Sequence, residues 1–96
     1  MPQLDDCYCK AASIVSREIA GEMILVPIRQ NVGDLESIFT LNDTAGYAWS
    51  LLDGQSTLGE IRDQMVFEFE VDAAQAGKDL LDLVAQLESF GAVSKG

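Results

Sequence analysis

Leu41 to Gly54 reads LNDTAGYAWSLLDG, and Thr57-Leu58-Gly59-Glu60-Ile61 follows almost at once. Leu41 closes an apolar, β-prone run. Asn42 or Asp43 can then accept from the free N–H groups of a helix's first turn. Ala45, Trp49 and Leu52 recur at i, i+4 and i+7, the apolar stripe of an amphipathic helix. That position makes Trp49 a core residue rather than a binding aromatic. Gly54 stands where a left-handed C-terminal cap is expected. Thr57 and Glu60 have the spacing of a capping box, in which each side chain satisfies the other residue's backbone N–H. The stretch predicts a strand end, a helix, a stop and a second helix.

Upstream the chain reads as β. Ser13 to Ile19 is rich in β-branched residues, and Ala20-Gly21-Glu22 supplies a short turn. Met23 to Ile28 is a second strand, with Pro27 expected at an edge or bulge because it has no N–H to donate. Arg29 to Glu36 is polar and contains Gly33-Asp34, a loop. Ser37-Ile38-Phe39-Thr40-Leu41 is a third strand. Residues 1–11 carry little periodicity and are expected to form a flexible N-terminal segment.

Downstream the chain reads as helix. Leu58, Ile61, Met65, Val66 and Phe69 are the apolar positions of the second helix. Asp72 caps a third, which runs to about Phe90 and stops at Gly91. On it Ala76, Leu80, Leu83, Val84, Leu87 and Phe90 gather on one stripe, the core face. Ala92-Val93-Ser94 makes a last extended piece. The expected fold is α+β and winged helix-turn-helix-like: a three-stranded antiparallel β-meander followed by three α-helices, in one domain over residues 12–96.

Composition narrows the function. Sixteen acids stand against six bases, a formal net charge of -10. From Asp43 to Glu88 there are ten acids and only two bases, Arg62 and Lys78. Duplex-DNA binding draws its affinity from Lys and Arg on phosphates, so nucleic acid is disfavoured as a partner. No apolar run approaches the roughly 20 residues of a membrane span. With neither a span nor a secretory signal in view, a cytoplasmic location is the expectation. Cys7 and Cys9 form one C-x-C, too few ligands for a zinc site in a chain without histidine. They read as two reduced thiols. No catalytic residue, cofactor or metal is expected, because no acid–base or nucleophile pair is visible.

The ordered set of signals resembles the PqqD family. Its residues here are Leu41, Asn42, Thr44, Ala45, Trp49, Leu51, Leu52, Asp53 and Gly54, then Thr57, Glu60 and Ile61. Phe69, Val71, Asp72, Asp79, Leu83, Leu87 and Gly91 follow. Gly46 inside the first helix and the N-terminal C-x-C depart from the family pattern. The resemblance implies a non-catalytic peptide chaperone. Such a domain grips the leader of a ribosomally made precursor peptide and presents it to a modifying enzyme, of the radical-SAM type in pyrroloquinoline quinone biosynthesis. It further implies that the leader joins the third strand as an added β-strand and packs against the third helix.

The residues offer that mechanism a place. Ser37, Ile38, Phe39, Thr40 and Leu41 carry neither the Lys nor the Pro that blunts an exposed strand edge. Side chains alternate, so Phe39 and Leu41 share one face and Ile38 and Thr40 the other. On the third helix Leu81 lies off the core stripe beside Lys78 and Ala85. The expectation is a leader groove with Lys78, Leu81 and Ala85 opposite Ile38 to Leu41, Lys78 pairing an acidic leader residue. Glu60, Asp63, Glu68 and Glu70 form a solvated acidic run that can alternatively meet a basic patch on the partner enzyme. Two other functions compete: a general protein-interaction adaptor, and a winged-helix DNA-binding regulator, which the missing basic face weighs against. An open strand edge also leaves self-association as a homodimer in play.

Overall fold

A computed structural model describes residues 2–28 and 38–96. Among these described residues six strands and three helices follow in the order β1 (Cys7–Lys10), β2 (Ile14–Ile19), β3 (Glu22–Pro27), β4 (Phe39–Leu41), α1 (Asp43–Ser50), β5 (Asp53–Thr57), α2 (Leu58–Phe69), α3 (Ala73–Phe90) and β6 (Val93–Lys95). The strands form two antiparallel sheets, ordered β2-β3-β4 and β5-β1-β6. The expected α+β fold and its three-stranded meander are present; the second sheet was not foreseen. The expected loop from Arg29 to Glu36, and Ser37, lie outside the described residues.

The meander follows from its turn. Ala20 (φ 54°) and Gly21 (φ 85°) both take positive φ, the backbone of a tight two-residue hairpin whose twist matches the strands beside it. The register runs from Ile19↔Glu22 to Ile14↔Pro27. β4 then pairs along Met23, Ile24 and Leu25 only. Pro27 is the last residue of β3, and among the described residues the β4 ladder ends before reaching it.

Residues 1–11 were expected to be loose, yet Cys7–Lys10 is the central strand of the second sheet. It pairs with β5 on one side and β6 on the other. Its period-2 pattern is only four residues long, too short to register in the sequence, but Tyr8 points inward and is 2% exposed. The preceding residues also cap α2. The orphan N–H groups of Leu58 and Gly59 donate to the carbonyls of Asp6 (2.9 Å) and Leu4 (2.8 Å). Thr57 Oγ1 accepts from Glu60 N (3.1 Å) while Glu60 Oε1 accepts from Thr57 N (2.8 Å), the reciprocal box expected there.

Gly54 corrects a second expectation. α1 ends at Ser50 with Leu51 right-handed at its cap, so Gly54 does not stop the helix. It lies in β5 with φ 80°, inside a register irregularity where β5 bulges against β1. A Cβ there would meet the Cβ of Cys9 at 3.2 Å. The other caps are as the sequence predicts: Asn42 accepts from Ala45 N, Asp72 from Gln75 N, and Gly91 ends α3 at φ 84°.

The core lies where the sheets meet the helices. Leu25 and Leu41 come from the meander, Tyr8 and Val93 from the second sheet. Trp49, Ile61, Met65, Leu80, Val84 and Leu87 come from the helices, all essentially buried. Lys10 packs against this core from outside, its ammonium 5.6 Å from the Trp49 ring centre and 2.9 Å from the Leu52 carbonyl oxygen.

Candidate functional site

β4 is an edge strand. It pairs with β3 on one side, and among the described residues no strand pairs with the other. Leu41 is 1% exposed and its side chain belongs to the core, where it anchors the strand. Phe39 is half-buried, its ring edge-on to Phe90 of α3 with centroids 5.5 Å apart. Ile38 and Thr40 are exposed, Ile38 by 52%. The alternation predicted for this strand is thus present, and its free backbone edge runs beside the end of α3.

Just beyond the C-terminal end of β4, starting at Asn42, is a cleft of about 420 Å³. One wall is Asn42, Thr44 and Ala45, directly after β4. The other is α3, through Gln75, Asp79, Leu83 and Gln86, with Met65, Val71 and Leu80 also lining it. Apolar side chains give the interior, and Asp79 and Asp82 make it acidic; among the described residues no Lys or Arg lines it. Asp79 is held in place by Gln75, whose Nε2 donates to Oδ1 at 2.8 Å. The arrangement can bind an apolar group and favour a cation beside it. No His is present in the chain, and no group of three or more metal-ligating side chains occurs among the described residues.

Lys78, Leu81 and Ala85 are not in this cleft. They line a separate groove with Pro2, Leu4, Arg62 and Gly77, on the other flank of α3. At about 100° per residue, Leu81 is about 160° around the helix from Leu83. Asp79, Leu83 and Gln86 line the cleft with Asn42, Thr44 and Ala45, and Phe90, on the same row of α3, meets Phe39 of β4. Leu83 and Phe90 had been assigned to the core stripe, but both are only partly buried. Periodicity found the stripe, and its two margins look alike in sequence. Only the packing of α3 on the sheets decides which margin meets β4.

Cys7 and Cys9 are free thiols, half-buried on one face of β1. Cys7 Sγ donates to the Gln55 carbonyl (3.5 Å) and Cys9 Sγ to that of Ser94 (3.7 Å). Among the described residues no helix is long and apolar enough to cross a membrane.

Comparison with known proteins agrees with this architecture. No curated protein matches the chain at a significant level. Two solved structures share its fold. One is TbiB1 in complex with the TbiA(beta) leader peptide, 24% identical, covering 90% of this chain and 94% of that one with a TM-score of 0.73. The other is lasso peptide synthetase B1 complexed with the leader peptide, 22% identical, covering 91% and 96% with a TM-score of 0.74. The family described as coenzyme PQQ synthesis protein D matches residues 22–93, from the start of β3 into β6. The chain therefore belongs to the PqqD family.

Proposed function

We propose that this protein is a non-catalytic recognition domain that binds the leader of a ribosomally made precursor peptide. The leader adds as a strand to the free edge of β4, and the bound leader is presented to a modifying enzyme, such as a radical-SAM protein. The observation that carries the reading is the open backbone edge of β4 beside the α3 cleft, in a member of the PqqD family. The two similar structures, each a complex with a leader peptide, support it.

Main-chain hydrogen bonds to β4 supply affinity, and the cleft reads side chains. Its apolar lining and its carboxylates Asp79 and Asp82 favour a leader whose aliphatic or aromatic anchor has a Lys or Arg close by. This reverses the charge expected when Lys78 was assigned to the site. The reading assigns the chain no chemistry of its own, and a cytoplasmic location, where leader and enzyme meet.

Affinity for the leader peptide encoded beside the chain, measured by fluorescence anisotropy, tests the assignment. Leu83→Asp places a charge in the cleft and should weaken binding at least about tenfold, the scale of burying one unpaired polar group. Leu81→Asp, on the opposite flank, should leave it unchanged. Equal affinity in the native chain and Leu83→Asp would remove the cleft from the site.

A further inference from the structure

Between residues 43 and 88 the chain has two bases, Arg62 and Lys78, and both line the same groove. The groove encloses about 440 Å³ between α3, α2 and the segment at Pro2–Leu4. Its lining is otherwise apolar except for Asp82 at the margin shared with the β4 cleft. Gly77, Ala73, Ala74 and Ala85 keep the α3 wall low, and Leu81 stands among them.

Arg62 is fixed there before anything binds. Its stem crosses Gly77, where a Cβ would come within 3.3 Å of its Cδ. Its Nε and Nη2 both donate to Asp63 Oδ1, at 3.1 and 2.9 Å. Lys78 is exposed and forms no ion pair with any described residue. α3 thus separates an acidic cleft on one flank from an apolar groove on the other, where Arg62 is already held by Asp63 and Lys78 is the cation left without a carboxylate among the described residues.

We infer that the groove behind α3 is a second docking site, taking an acidic protein segment with an aliphatic anchor. Charge complementarity selects the occupant. On a chain of net charge -10 an acidic segment is repelled almost everywhere, and here Lys78, with no carboxylate partner among the described residues, stands beside an apolar floor. From Ala73 to Ala85 the wall is about 18 Å long at 1.5 Å per residue, enough for about five extended residues. Leu81 and Ala85 receive the anchor while Lys78 pairs the carboxylate. The site is separate from the leader cleft and stands whether or not the leader reading does.

Amide-shift titration of the labelled full chain tests it directly, with Ac-Leu-Asp-Leu-Glu-Leu-NH2 against Ac-Leu-Lys-Leu-Lys-Leu-NH2. The acidic peptide should give saturable shifts at Arg62, Gly77, Lys78, Leu81 and Ala85, and the basic peptide none there. Lys78→Glu, an exposed change that leaves the fold intact, should weaken the acidic peptide about three- to fivefold, the scale of one surface pairing. Absence of saturable shifts at millimolar peptide would overturn the inference. So would equal shifts from the basic peptide, or shifts confined to the β4 cleft.

Discussion

The Phe39 and Phe90 rings meet edge to face, 5.5 Å between centroids and 61° between planes. This contact ties the first residue of β4 to the last residue of α3 and so fixes one end of the space between strand edge and helix. Edge-to-face pairs contribute about 0.5–1.5 kcal/mol beyond area burial. Because Phe90 is only half-buried, Phe90→Ala should cost about 1–2 kcal/mol in denaturant unfolding, less than a core Phe. Leader affinity should fall with it, while Phe90→Leu, which keeps most of the apolar area, should restore stability more than affinity.

Deleting residues 2–10 should unfold the chain although they precede the family's matched region at residue 22. The deletion removes the central strand of one sheet, the buried Tyr8, and the Leu4 and Asp6 carbonyls that accept from the first turn of α2. Circular dichroism and thermal melting check this. A cooperative melt at the native temperature would contradict the placement of β1.

Gly54→Ala should destabilise by about 1–2 kcal/mol, the cost of holding a side-chain-bearing residue at left-handed φ. The added Cβ also meets the Cβ of Cys9 on the paired strand β1 at 3.2 Å, a contact that needs a shift of a few tenths of an ångström. Denaturant unfolding of the variant reads it. A neutral result would mean that the bulge relaxes to negative φ.

The phenol of Tyr8 is held above its ordinary value of 10.0, first by burial and then by the carboxylates of Glu88 and Asp6. A raised folded value favours the neutral form. Its contribution is therefore fully present below pH 10.0 and is lost as pH rises through the folded value. The melting temperature should fall on the alkaline side, and Tyr8→Phe should flatten that limb while changing the neutral-pH value little. Identical alkaline limbs in the two proteins would contradict the assignment.

What the sequence made legible was local. Asn42, the Thr57–Glu60 box, Asp72 and Gly91 each satisfy backbone groups within four residues, so their meaning survives without the fold. The β5-β1-β6 sheet was hidden because its strands are short and Asp53–Thr57 reads DGQST, polar with a glycine. Such strands exist through their partners, which lie more than forty residues apart in the chain for β1 and β5. Gly54 was misread for the same reason, since a helix cap and a bulge ask for the same positive φ. At the site, the uncharged run of β4 suited an open edge equally with a strand paired or covered within the fold, and it was the family resemblance that favoured the edge. The α3 flank was not legible, because Leu81 and Leu83 differ only in which way the helix is turned against the sheets.

The account rests on β4 receiving a fourth strand. The most direct measurement is intermolecular NOE spectroscopy of the labelled chain with the leader peptide encoded beside it. The account predicts strand-type backbone NOEs between the leader and residues 38–41, with side-chain NOEs to Leu83 and Gln86. Leader contacts confined to the Lys78–Leu81–Ala85 groove, or to the edges of the β5-β1-β6 sheet, would contradict it.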